Sequence, residues 1–327
     1  MTKASSRSAD KAVSIGKELA AGLLPRREQG AHKWGVGGLV IVAGSPGYAG
    51  AAVLCSLAAG RAGAGIVVLA APRAVGGVVV SVVPEVVTTP LPEGEGSMGK
   101  KALEKLEEKI AKSAALVVGP GLGDDDMAGS LLSTLFGRAP AKVRIGFGFG
   151  LHHAPAEESV SGEALLVKAG KPLVIDADAL NWLAEQENWP SMIPARSAVL
   201  TPHIGEMARL LKMETEEILA DPAGTAKEAA AAWGQVVVLK GGTTVVSDGQ
   251  RTLSAETPPS LATAGTGDVL AGAIGALLAQ GLAPIDAAAL AVYAGGEAAR
   301  RVEARVGTLG LVAGDLPLAI AETLEEL

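Results

Sequence analysis

Leu39-Val-Ile-Val42, an Ala-rich stretch running to Arg61, and Ile66-Val-Val-Leu69 set the pattern of this chain. A short Val/Ile run, a helix-forming segment and a second Val/Ile run is the order of a βαβ unit, whose two strands lie parallel. The pattern continues at Ala115-Leu-Val-Val118, Pro172-Leu-Val-Ile-Asp176, Ala198-Val-Leu200 and Val236-Val-Val-Leu239, each followed by a turn rich in Gly, Asp or Pro. The expected fold is α/β: a central, mostly parallel sheet with helices on both faces. In open sheets of this kind ligands lie outside the carboxyl ends of the strands, so the turns should form one wall of a single cleft.

Outside this pattern, Ile15, Leu19 and Leu23 have helical spacing that stops at Pro25. Residues 1–30 therefore read as a helical lid or packing segment and 31–327 as the α/β domain. The stretch Ala139 to Gly162 alternates glycine with Phe, turns polar through His152-His153, and reads as an exposed loop of insertion-like length. Adjacent histidines point to different sides of an extended chain, and no third ligand follows at a useful spacing for a metal.

Composition narrows the classes. Hydrophobic residues make up 49% of the 327, mostly Ala and Val, and aromatics only 3%, which suits a core of small, closely packed elements. A net charge of −7 argues against general nucleic-acid binding, which needs a basic face. The single cysteine, Cys55, excludes an internal disulfide framework and a cysteine zinc site; within Ala51 to Ala59 it reads as a small buried hydrophobe. No stretch reaches the roughly 18 uninterrupted apolar residues of a membrane span, and Met1 to Asp10 is polar, so the expected location is cytoplasmic.

Chemistry concentrates in Ala262-Thr-Ala-Gly-Thr-Gly-Asp268, which runs into the apolar helical stretch Val269 to Leu278. A glycine-rich turn that opens a helix aims free N–H groups and the positive end of the helix dipole at one point, which suits a phosphate. Asp268 stands beside that point, placed to take a proton from an attacking hydroxyl. The same residues also serve as a plain tight turn with an Asp at the helix start. Companion segments decide between the two.

Those companions are Ala43-Gly-Ser-Pro-Gly-Tyr-Ala-Gly-Ala51, Gly119-Pro-Gly-Leu-Gly123, Asp176-Ala-Asp-Ala-Leu-Asn181, Thr201-Pro-His-Ile-Gly-Glu206 and Lys240-Gly-Gly-Thr-Thr244. In order and spacing the set resembles the NAD(P)H-hydrate dehydratase family of the ribokinase-like superfamily. The likeness runs from Leu24 to the C-terminus and includes His32-Lys33. It implies a three-layer αβα fold and a repair lyase that returns NADH or NADPH from the hydrated forms NADHX and NADPHX. Phosphorylating the ring hydroxyl turns a poor leaving group into a good one, and the ring nitrogen then expels phosphate. ADP is the donor in bacterial members and ATP in eukaryotic ones, with Mg2+ as cofactor.

Roles follow from the same resemblance. Asp268 is the catalytic base, with an anion hole at Gly265, Thr266 and Gly267. Ala51, Gly121, His203 and Asp268 contact the hydrated cofactor. Lys240, Gly241, Gly242, Thr243, Thr244 and Gly267 bind the nucleotide, and Glu206 holds magnesium through water. Asp176 and Asp178 divide evenly between helix capping and an electrostatic role at the cleft. The resemblance further implies a homo-oligomer, a tetramer by likeness to bacterial members, and an epimerase supplied separately, since about thirty residues precede the matching part. Ser254 to Ser260 departs from the family's usual Asn and Thr-Gly-Asn element. Two rivals stay open: a thiazole- or pyrimidine-type small-molecule kinase of the superfamily, and a non-catalytic nucleotide-binding relative. The Pro-His-Ile-Gly-Glu and Gly-Pro-Gly-Leu-Gly segments favour the dehydratase over the first; Asp268, Lys240 and His203 speak against the second.

Overall fold

The structure is a computed structural model and describes residues 12–91, 100–137 and 164–327. The stretch 139–162, with its paired histidines, lies outside the described residues. The first half holds β1 (Val13–Ser14), α1 (Lys17–Leu23), α2 (Lys33–Gly37), β2 (Gly38–Val42), α3 (Ala49–Arg61), β3 (Ile66–Pro72), α4 (Arg73–Val82), β4 (Val87–Leu91), α5 (Lys100–Lys112), β5 (Ala115–Val118) and α6 (Asp126–Phe136). Then come α7 (Leu165–Ala169), β6 (Leu173–Ile175), α8 (Asp178–Ala184), β7 (Ala198–Leu200), α9 (Ile204–Leu211), α10 (Thr215–Ala220), α11 (Pro222–Trp233) and β8 (Val236–Leu239). The chain closes with β9 (Thr243–Ser247), β10 (Thr252–Glu256), α12 (Thr266–Ala279), α13 (Pro284–Val306) and α14 (Leu316–Glu325).

The strands form one sheet in the order β1-β10-β9-β8-β7-β6-β5-β2-β3-β4. From β4 to β8 every pairing is parallel, while β8, β9 and β10 make an antiparallel meander. Alternation along each strand divides the core in two. Leu39, Ile41 and Val117 face a layer of α3, α12, α13 and α14, packed through small residues such as Ala52, Ala271, Ala288 and Ala319. Val40, Val42, Leu116 and Ile175 face the other layer, where Leu106, Leu132, Leu135 and Leu180 fill the space. A third cluster seats α9, α10 and α11 on Val237 and Leu239. No helix among the described residues is long and apolar enough to cross a membrane.

All six strands read from the sequence are present, and the helix after Leu39–Val42, α3, ends at Arg61 as expected. Around Ile15 the structure departs from the helical expectation: Val13–Ser14 pairs in parallel with β10, and the helix begins only at Lys17. Of the described part of the N-terminal piece, Ile15 and Ala20 are buried in the same core as α12. Strands β4 and β10 carried no clear sequence signal, β4 holding Pro90 at a sheet edge and β10 burying only Leu253.

Candidate active site

Register brings the motifs together. Val42 pairs with Val118, Val118 with Ile175, and Ile175 with Leu200, so β2, β5, β6 and β7 end level. The following turns share that edge, and beyond β7 an isolated parallel bridge joins His203 to Lys240. The N-terminus of α12 reaches the same place: a β-carbon on Gly267 would lie 3.5 Å from Lys240 Nζ and 4.0 Å from Asp176 Oδ2. Asp268, in the first turn of α12, is thereby set among the turns after β6 and β8.

Asp268 is half-buried and makes no hydrogen bond or ion pair among the described residues. Burial and the charge of Asp176 push its carboxyl up to about 7; Lys240 opposes them and Asp178 adds to them. Asp176, Asp178 and Glu206 are by contrast bonded. Asp176 Oδ1 accepts from Lys240 Nζ at 2.9 Å and from Thr201 Oγ1 at 2.6 Å, and Asp178 Oδ2 accepts from the Gly123 amide at 2.8 Å. An unpaired carboxylate whose pKa lies near neutrality is suited to take and give a proton.

The predicted anion hole needs one correction. Thr266 is committed to the turn: its amide points to Thr263 O at 3.4 Å and its hydroxyl donates to Leu261 O at 2.8 Å. The amides of Gly265, Gly267 and Asp268 have no acceptor among the described residues, so the unmet donors at this helix start are theirs. Gly265 is required by the turn itself, with φ 89° and Leu54 Cδ1 2.5 Å from where a β-carbon would stand.

Lys240 also departs from expectation. It was read as meeting phosphate, yet its ammonium bonds Asp176 and lies 3.8 Å from Glu206 Oε2. Burial disfavours its charge, but Asp176 and Glu206 outweigh burial and hold its pKa above the usual range. The rest of the segment behaves as the hairpin it suggested: β8 and β9 pair antiparallel across it. Thr257 N donates to Gly242 O at 3.0 Å and the Thr244 and Thr257 hydroxyls pair at 2.8 Å, so the atypical 254–260 stretch braces this turn. Gly241, Gly242 and Thr243 lie half-buried to exposed.

His203 is the N-cap of α9, not a free ligand. Its Nδ1 accepts from the amides of Gly205 at 2.9 Å and Glu206 at 3.2 Å, and Glu206 Oε2 accepts from the His203 amide at 2.7 Å. This capping box puts Pro202 one residue before the cap rather than at the helix start. An acceptor Nδ1 leaves the proton on Nε2, which stands 3.5 Å from Glu206 Oε1. Burial, Lys240 and Arg209 hold the imidazole below its usual pKa, against a smaller opposing pull from Asp176. Glu206 is 4% exposed and burial lifts its pKa, with Lys240 opposing. Glu206 turns its oxygens to His203 and Lys240, an arrangement compatible with the expected magnesium contact only through water. Among the described residues no group of three or more His, Cys, Asp or Glu could hold a metal.

On the other side, Ala51 and Gly121 meet. A β-carbon on Gly121, whose φ is 62°, would come within 2.7 Å of Ala51 Cβ and 2.9 Å of Tyr48 Cβ. Ser45 Oγ donates to Gly121 O at 3.0 Å and ties the two turns. Thr201 was absent from the predicted residues. Its position at the end of a buried strand, next to Pro202 and His203, was the available signal.

The sequence profile described as NAD(P)H-hydrate dehydratase matches residues 39–143 and 138–322. The chain belongs to this family. Among curated relatives, the bifunctional NAD(P)H-hydrate repair enzyme Nnr of Moorella thermoacetica is 37% identical over 302 residues, 90% of this chain and 50% of the relative. The enzyme of the same name from Salinibacter ruber is 38% identical over 298 residues, 89% of this chain and 49% of the relative. The chain thus spans about half the length of the curated relatives it matches. A solved ADP/ATP-dependent NAD(P)H-hydrate dehydratase from Bacillus subtilis, co-crystallised with ATP and Mg2+, superposes with TM-score 0.74 at 26% identity, covering 97% of this chain and 99% of that one. A ribokinase-like superfamily protein from Enterococcus faecalis gives TM-score 0.76 at 20% identity over 96% of this chain and 95% of that one, and shows the fold alone: αβα, ribokinase-like.

Proposed function

We propose that this chain dehydrates NADHX and NADPHX to NADH and NADPH with ADP as phosphoryl donor, ATP being the alternative. The carrying observation is Asp268, unpaired, held near neutral pKa and seated beside unmet amides at the start of α12. Family membership and the likeness to the Bacillus enzyme support the reading.

In this reading Asp268 takes the proton of the ring hydroxyl as its oxygen attacks the terminal phosphoryl group of ADP. Amides of Gly265, Gly267 and Asp268 meet the charge that develops on the transferring group. AMP leaves, the ring nitrogen's lone pair expels phosphate to give an iminium, and loss of a proton from the neighbouring ring carbon to solvent restores the reduced ring, so the net change is loss of water at the expense of one phosphoanhydride bond. Ala51 and Gly121 offer a surface of small residues for the dinucleotide, and His203 offers its Nε2–H to an acceptor atom. The Lys240–Thr244 turn faces the nucleotide through Gly241, Gly242 and Thr243, while the Lys240 ammonium stays bonded to Asp176 and close to Glu206. Magnesium arriving with the nucleotide would be held by Glu206 through water and would supply charge neutralisation at the phosphates.

The same reading takes 31–327 as the catalytic domain, places the reaction in the cytosol, assigns a homo-oligomer, a tetramer by family likeness, and expects an epimerase acting on the same hydrates. The test is the return of absorbance at the reduced-nicotinamide band when the full chain meets hydrated NADH and ADP. Asp268→Asn should lose about 10²–10⁴ in rate and still bind ADP. Full activity in that variant, or transfer of phosphate to a stable phosphorylated product, would sink the proposal.

A further inference from the structure

Between the two walls of the site lies a turn whose backbone is strained. Ala177 has φ 49° and ψ −119°, a region that side-chain-bearing residues rarely enter. Strain of this kind persists where the surroundings over-determine it, and it gathers at functional sites. The bonds that fix it are on both flanks. The Asp176 amide donates to Val118 O at 3.1 Å, the Ala179 amide to Asp176 O at 3.2 Å, and the Asn181 amide to Ala177 O at 3.1 Å.

The flanking carboxylates reach in opposite directions along the sheet edge. Neither side chain caps α8, the helix that follows. Asp178 Oδ2 takes the amide of Gly123, in the turn after β5 that carries Gly121 against Ala51. Asp176 Oδ1 takes Thr201 Oγ1 after β7 and Lys240 Nζ after β8. Since β6 lies between β5 and β7, one strained turn ties the small-residue wall to the Lys240 hairpin.

We propose that Asp176-Ala177-Asp178 is a positioning element, which clamps the Gly119–Gly123 turn and the Lys240 turn in register with Asp268. It rests on the dehydratase reading of the site. The clamp has a second effect through space. Groups bearing on the Asp268 carboxyl are Asp176 and Asp178 from this turn and Lys240 just after β8, while the buried Cys55 thiol of α3 senses Asp268 and Asp176. Glu206 of α9 acts on Lys240, and Lys240 in turn bears on His203, the cap of that helix. Removing a negative charge at 176 or 178 therefore makes Asp268 a stronger acid, and Asp176 has the larger effect of the two.

The experiment compares wild type with Asp178→Ala, Asp178→Asn and Asp176→Asn in the full chain, with thermal midpoints taken first. Hydrated NADH with ADP is the substrate pair, and kcat and KM are followed from pH 5.5 to 8.5. Asp178→Ala loses the Gly123 bond and should raise KM for the hydrated dinucleotide about tenfold or more, since small misplacements are costly. Asp178→Asn keeps an oxygen acceptor for Gly123, so KM should return towards wild type. Its acid limb of kcat should nonetheless lie at lower pH, and that of Asp176→Asn lower again. An unchanged KM in Asp178→Ala, or acid limbs that stay in place in both Asn variants, overturns the proposal while wild type is active. Should Asp178→Ala not fold, the limb positions of the Asn variants decide alone. A wild-type chain that returns no reduced dinucleotide refutes the dehydratase reading, and this inference with it.

Discussion

Acidification should silence Asp268 far earlier than it would an ordinary aspartate. The carboxyl is pushed to about 7 by burial and Asp176, with Lys240 opposing, against an ordinary value of 3.8. At pH 6 a group with a pKa of about 7 is roughly one-tenth ionised, and at pH 5 about one-hundredth, whereas an ordinary carboxylate stays about 99% ionised at pH 6. Because the proposed base works only when deprotonated, kcat should fall about tenfold per unit below pH 7 and level off above 8. The assay is the reduced-nicotinamide absorbance at saturating hydrated NADH and ADP, with buffer ionic strength held constant. Stability gives an independent reading of the same group. A folded pKa raised above the unfolded one means the charged form is disfavoured on folding, so wild type carries a penalty that is complete above about pH 7 and fades as pH falls towards 4. Asp268→Asn removes that penalty: its thermal midpoint should exceed wild type at pH 8, with the gap closing in acid. A flat kcat down to pH 5, with no stability gain in the variant at pH 8, would refute the argument.

Two further outcomes follow from the bonded neighbours. Lys240→Met strands Asp176, which is 1% exposed, and should cost on the order of 3–5 kcal/mol in chemical denaturation. It should also move the acid limb of kcat to higher pH, opposite in sign to Asp176→Asn, because the cation that lowers the Asp268 pKa is gone. His203→Ala should lose the α9 cap, about 1 kcal/mol, while His203→Asn keeps a side-chain oxygen for the same amides and most of that stability. If the Nε2–H contacts the dinucleotide, both variants raise KM to a similar degree; a normal KM in His203→Asn would assign the residue to capping alone.

The fold was legible wherever burial is complete on both faces. Strands such as Leu39–Val42 and Val236–Leu239 are uninterrupted runs of apolar residues because helices cover both sides, and that signal is local. It fades at the rim. Val13–Ser14 offers two exposed residues, and Thr252–Glu256 looks polar because it lies near the sheet edge. At the site, residue types announced the motifs but not who bonds whom. Lys240 and Asp176 are 64 residues apart, and Asp178 and Gly123 are 55 apart, so nothing local foretold either bond. His203 was different: His-x-x-Glu before an apolar helix has the spacing of a capping box, and that pattern was readable in advance.

The seating of α12 limits how the molecule can respond to its ligands. A β-carbon on Gly272 would stand 2.1 Å from Cys55 O, and one on Gly275 would stand 2.4 Å from Val117 Cγ2, so the helix rests backbone to backbone on α3 and hard against β5. A rod wedged this tightly has no room to slide or tilt. Any adjustment to an incoming nucleotide therefore falls to the turns around it, and the Asp268 carboxyl keeps one address whatever those turns do.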